Sequence, residues 1–201
     1  SRMRLVLLVL VAALAGLFLF QKHSNAAEES RLAVIASQIA RRPVTIHCQG
    51  AVGQALDVSA EAGSVEFDAN GRPADVADVK RKVCQRLQGF PKARKGTKFD
   101  CLDTPSRCDA SVVNDAIALD VLAHESWHLE GTRNEAVTEC YAEQTVGFVA
   151  TKLGSDDVQA RGLARLVHLL VYPRMPDEYR SGECRDGGLL DLRRGSSAWP
   201  S

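Results

Sequence analysis

The chain has no net charge: its 201 residues hold 25 Lys+Arg and 25 Asp+Glu. That balance leaves no electrostatic footprint for non-specific binding to phosphate backbones, so no nucleic acid is expected as a partner. There is no internal repeat, which excludes solenoids and propellers. With 15 Gly and 7 Pro the chain is neither collagen-like nor of low complexity, and an apolar fraction of 45% is too high for intrinsic disorder. There is no Cys-x2-Cys pair, so a zinc cluster built on cysteines is disfavoured. What remains is a length that suits one globular domain.

The N-terminus suggests the compartment. Arg2 and Arg4 precede an apolar run from Leu5 to Phe20, followed by Lys22 and the polar stretch His23-Ser24-Asn25. A basic start before an apolar run is the pattern of an export signal or a signal anchor. The run would make about 24 Å of helix, short for a bilayer core of about 30 Å. Ser24-Asn25-Ala26 can serve as a small-x-small cleavage site, so a retained anchor and a cleaved signal both stand. In either case the rest of the chain is expected outside the cytoplasm, membrane-anchored by a single pass or secreted. In an oxidising compartment Cys48, Cys84, Cys101, Cys108, Cys140 and Cys184 read as up to three disulfides. Cys101 and Cys108 bracket a turn-rich stretch and suggest a local bridge, which leaves Cys140–Cys184 and Cys48–Cys84 as the accompanying pairs.

The pattern divides the chain into 1–26 (signal or anchor), 27–42 (a helical stalk), 43–185 (the main domain) and 186–201 (an irregular tail). Leu32, Ile35, Ala36 and Ile39 recur at helical spacing over 28–42, and Pro43 ends that helix. Residues 44–48 and 64–68 read as strands, with Asn70-Gly71 as a turn. Pro73 is expected to open a helix through about Leu87, with Val76, Val79, Val83 and Leu87 on one face. Residues 98–102 suggest another short strand. Helices are expected over about 110–130, 134–153 and 156–171. Strands first and helices after predict an α+β fold with a short antiparallel sheet and a helical half.

That helical half carries His124-Glu125-Ser126-Trp127-His128. Residues four apart share one helix face, so both imidazoles can bind one ion, and Ile117 and Val121 continue the face. Glu125 lies about 100° around the helix, within reach of a water held by that ion, and is the candidate general base. Gly131 is a plausible helix stop and Asn134 a plausible cap for the next helix. The short connection folds that helix back beside the first, bringing Glu135 and Glu139 near the two His. One carboxylate can ligate the ion while the other accepts a hydrogen bond from a ligand imidazole. Trp127 reads as core packing, and His47, like His23, has no partner at ligand spacing.

The segment 110–145 resembles the zincin metallopeptidases of the Glu-zincin type, which carry His-Glu-x-x-His on one helix and a Glu ligand on a later one. Their later helix often reads Asn-Glu-Ala-x-Ser-Asp, and this chain has Asn134-Glu135-Ala136-Val137-Thr138-Glu139. The resemblance implies a zincin-like domain and one Zn2+ held by His124, His128 and Glu135, with Glu139 behind a ligand imidazole. It implies a hydrolase that cuts peptide (amide) bonds of a peptide or protein substrate. It also implies an oxyanion stabiliser downstream, for which His168, Tyr172, Arg174 and Tyr179 are candidates. The spacer departs from the family: six residues separate His128 from Glu135, where well-known members place many more. Gly131 is similar to the metzincin glycine, but the third His of that group would fall at Asn134. Side chains tilt toward a helix N-terminus, which brings Glu139 as well as Glu135 within reach of the His pair, so the ligand is one of the two. The alternative is an exported or anchored domain of the same type that binds or scaffolds without hydrolysis.

Overall fold

The computed structural model describes residues 26–50, 62–93, 97–196 and 199–200. The run Leu5–Phe20, and with it the expected signal or anchor and His23, lies outside the described residues. Among the described residues no helix is long and apolar enough to cross a membrane.

The fold is α+β, with a small sheet on one side of a helical layer. Helix α1 spans 26–40. Strands β1 (Thr45–Cys48), β2 (Gly63–Phe67) and β3 (Pro73–Val79) form a sheet in the order β1-β3-β2. Helices α2 (Arg81–Ala93), α3 (Ala110–Glu130), α4 (Glu135–Glu143), α5 (Val146–Lys152) and α6 (Asp157–Leu166) follow. Helix α3 is the axis: it packs against β2 and β3, α2, and α4 to α6. It is consequently buried on nearly every side, with Leu119, Leu122, Ala123 and Leu129 inaccessible to solvent.

Several expectations are corrected. The sheet is mixed and not antiparallel throughout: β2 pairs antiparallel to β3, but β1 runs parallel to it. Residues 73–79 are the central strand and not the start of a helix. Val76, Val79, Val83 and Leu87 fall at helical spacing across a strand–helix boundary. Within β3 itself Ala77 and Val79 are the buried pair, on the two-residue period of a strand. Residues 98–102 are not a strand. They lie in the 3-10 segment Thr97–Asp103, whose Phe99 and Leu102, three apart, both point into the core. The expected stalk is no stalk: Leu32, Ile35, Ala36 and Ile39 of α1 are buried in the same core as α3. The helix expected over 134–153 breaks at Gln144-Thr145. There the Gln144 amide donates to the Leu190 carbonyl and Thr145 Oγ1 accepts from Trp127 Nε1 at 2.9 Å. The third helix gives way to a π-type turn, Val167–Val171.

All three expected cysteine pairs form. Cys48–Cys84 ties the end of β1 to α2, Cys101–Cys108 closes the link before α3, and Cys140–Cys184 ties α4 to the C-terminal segment. The hairpin β2–β3 is closed by Asp68, whose carboxylate accepts from Asn70 N and Arg72 N, with Gly71 at φ 76°. That left-handed conformation is one glycine tolerates.

Replacing Cys48 and Cys84 together by Ser should lower stability by about 2–4 kcal/mol, because the bridge closes a long loop of the unfolded chain. Urea unfolding of the double variant against wild type measures it; an unchanged midpoint would contradict a bridge at this site.

Candidate metal centre

The site is built by a helical hairpin. Helix α3 starts on an Asp109 cap, which accepts from Ser111 N and Val112 N, and stops at Gly131 with φ 124°. At that stop Gly131 N donates to His128 O and Thr132 N to Trp127 O. These two bonds satisfy the carbonyls that a helix end orphans. Asn134 then caps α4 through Val137 N. The chain reverses within four residues, so the first turns of α4 face the last turns of α3.

This reversal brings His124, His128, Glu135 and Glu139 together. Nδ1 of His128 donates to the Thr132 carbonyl at 2.7 Å. A carbonyl can only accept, so the proton is on Nδ1 and the Nε2 lone pair points inward. His124 is held the same way, its Nδ1 2.8 Å from Glu139 Oε2. The two Nε2 atoms approach to 2.9 Å, and Glu135 Oε2 lies 3.1 Å from that of His124 and 3.3 Å from that of His128. A tetrahedral ion about 2.0–2.1 Å from nitrogen and oxygen donors holds them roughly 3.3 Å apart. The triangle His124, His128, Glu135 therefore has the donor types and the spacing that such an ion needs. Glu139 faces away from the triangle, behind His124.

Electrostatics agrees with the geometry. Burial works against a charge on His124, but hydrogen bonds with Glu135 and Glu139 outweigh it and raise its pKa to about 10. Hydrogen bonds with the two imidazoles lower Glu135 to about 2. Without an ion a proton thus holds the cluster together, and a bound cation would displace it. Glu125 is buried at 4% exposure, and its negative charge acts on His124. Strand β2 passes directly over it: a Cβ on Gly63 would lie 2.6 Å from Glu125 Oε1, so a larger residue there would have to displace the Glu125 side chain. Further along β2, the Phe67 ring meets His128 edge-on at 6.0 Å.

Of the expected oxyanion stabilisers, Tyr179 lies against the cluster, its ring 5.8 Å from that of His124. The Tyr172 hydroxyl bonds Ser181 in the C-terminal loop and Arg174 caps the Leu170 carbonyl. His168 Nδ1 lies 3.1 Å from Glu143 Oε2, one helical turn beyond Glu139. Trp127 packs on Tyr141 with 5.0 Å between rings, and His47 pairs with exposed Asp78 on the neighbouring strand.

Two acids absent from the expected set complete the surroundings. Asp120, one turn before His124, is buried; burial, then the charge of Glu139, push its pKa well up. Glu143, one turn after Glu139, is fully buried beside Cys184, and burial raises its pKa against the pull of His168. The four-residue period reveals both once the helices are drawn. Cys140, Glu143 and Cys184 also converge, but both sulfurs are in the disulfide and offer no thiolate. No family model, curated protein or solved structure matches this chain.

Within the cluster, Glu135 and His124 set opposite ends of a stability profile for metal-free protein. Glu135 contributes stability above pH 4.5, lost as pH falls through about 2. His124 contributes fully below pH 6.5, and the contribution is lost as pH rises through about 10. Chelator-treated protein should resist heat best between pH 4.5 and 6.5 and weaken steadily toward pH 10. Thermal melts across that range check it; a His124→Gln variant should lose the alkaline slope.

Proposed function

We propose that this protein is a zinc-dependent metallopeptidase of the zincin type. The observation that carries the proposal is the convergence of His124 Nε2, His128 Nε2 and Glu135 Oε2 within 3.3 Å, both imidazoles held by acceptors on Nδ1. Three protein donors leave a fourth position open, as catalytic zinc sites do, whereas structural sites close it with a fourth side chain. In this proposal His124, His128 and Glu135 are the ligands, and Glu139 orients His124 from behind. When bound, Zn2+ would supply a Lewis acid and a water whose pKa is lowered toward about 7.

The chain's own residues then have distinct tasks. Glu125, buried beside His124, takes a proton from the attacking water as its oxygen adds to the carbonyl carbon. It returns that proton to the amine nitrogen as the C–N bond breaks, leaving a carboxylate and an amine. Tyr179, whose ring lies 5.8 Å from that of His124, is assigned in this proposal to donate its hydroxyl to the oxygen on which negative charge develops. Strand β2 is an edge strand among the described residues and lies over Glu125 and His128. An extended substrate segment could pair along it, which supports a peptide over a compact small molecule. Three disulfides favour a domain outside the cytoplasm, with Leu5–Phe20 as its anchor or export signal.

Purified protein should contain one zinc per chain, and chelation should abolish cleavage of a mixed peptide library read by mass spectrometry. Glu125→Gln should keep the metal and lower kcat by about 10²–10⁴-fold. If wild type holds zinc yet cleaves nothing, the site serves binding or scaffolding instead. Separately, Tyr179→Phe should lower kcat about 10–100-fold with KM little changed, since the hydroxyl acts only as charge develops. A rise in KM alone would assign Tyr179 to substrate binding.

A further inference from the structure

Arg133 stands between the two helices of the hairpin, immediately before the Asn134 cap. Its guanidinium carbon lies 5.3 Å from the centre of the Phe67 ring, and that ring meets His128 edge-on. Its Nη1 also packs on the β2–β3 turn, where a Cβ on Gly71 would come within 2.8 Å of it. The cation is thus held by an aromatic face and a glycine turn, at the margin of the metal centre. It is nevertheless exposed. Among the described residues no carboxylate lies within ion-pair distance of it. The acids around it are engaged: Glu130, three residues before it, with Arg41, Glu135 with both imidazoles, and Asp68 of the β2–β3 turn with the amides of that turn.

An arginine stacked on a ring keeps its N–H edge available, and that planar fork matches a carboxylate. Building on the peptidase proposal, we propose that Arg133 is a specificity-determining residue that binds a substrate carboxylate close to the scissile bond. Two sources present that chemistry, an Asp or Glu side chain and the C-terminal carboxylate of a short peptide.

The test uses the full zinc-loaded chain and three peptides with a common apolar core. One is neutral and amidated, one carries a single Glu and is amidated, and one is neutral with a free C-terminus. A carboxylate-bearing peptide should exceed the neutral one about 10–100-fold in kcat/KM, the range of one charge-assisted hydrogen-bonded contact. Whichever of the two gains identifies the source. Arg133→Met should erase the preference while zinc content and melting temperature stay unchanged, and Arg133→Glu should shift it toward a Lys-bearing peptide. Dissociation constants of the same peptides for the Glu125→Gln chain give a readout free of turnover. Equal kcat/KM for all three peptides, or a preference that survives Arg133→Met, overturns the inference and leaves the peptidase proposal standing. Arg133-dependent binding without cleavage by wild type overturns the peptidase proposal and keeps the carboxylate site. Neither binding nor cleavage overturns both.

Discussion

An imidazole is poised to offer a lone pair to a cation when a hydrogen bond at its other nitrogen fixes both the tautomer and the direction of the ring. In this protein that constraint is met by Glu139, whose carboxylate accepts from His124 Nδ1 at 2.8 Å inside the core. The rest of the arrangement follows from placing it there. Glu139 must come from a second helix running back along the first, and α3 must therefore end within one residue of His128's own turn. Gly131 makes that stop possible, and the carbonyl of Thr132, released by the reversal, is the group that fixes His128. One turn thus orients one histidine directly and the other through the helix it starts.

Holding carboxylates in a core is costly, because burial disfavours the charged form. Asp120, Glu139 and Glu143 are all nearly inaccessible. Burial raises the pKa of Asp120 and of Glu143, which reduces the charge the interior must carry. His124 offsets one end of this row and His168 the other. The Cys140–Cys184 bridge lies beside it. That bridge also fastens the C-terminal segment, so the stretch that sets Tyr179 against His124 and the helix that holds Glu139 are covalently linked. The acids, the bridge and the tyrosine form one structural unit around a pair of histidines.

The sheet contributes by proximity. Gly63 lets β2 descend onto Glu125, and Phe67, four residues on, reaches His128 and carries Arg133 on its other face. A buried floor of helices therefore meets an edge strand along a line that contains Glu125, the His128 ring and the Arg133 cation. An extended chain laid on that line would meet them in sequence.

Much of the site was legible without coordinates because helices repeat every 3.6 residues. His124 and His128 declare a shared face, Gly131 and Asn134 declare a stop and a start, and Glu135 and Glu139 then must face the histidines. The same period would have found Asp120 and Glu143. The α+β class was also within reach, and so was the local Cys101–Cys108 bridge, but four remaining cysteines allow three connectivities and only the packing of β1 on α2 and of α4 on the C-terminal segment decides among them. Local pattern misjudged 73–79, because valines spaced three and four apart crossed a boundary that only pairing with β1 and β2 defines. It misjudged 27–42 as a stalk, because an apolar stripe does not say what it packs against. Glu135 and Glu139 could not be told apart by spacing, since a few degrees of hairpin angle decide which oxygen meets both Nε2 atoms. Nor could any pattern place Gly63, Arg133 or Tyr179 at the histidines. Each arrives from a segment distant in sequence or through a turn of unstated direction. Local periodicity determines which side chains share a face; only the packing of faces decides what stands opposite them.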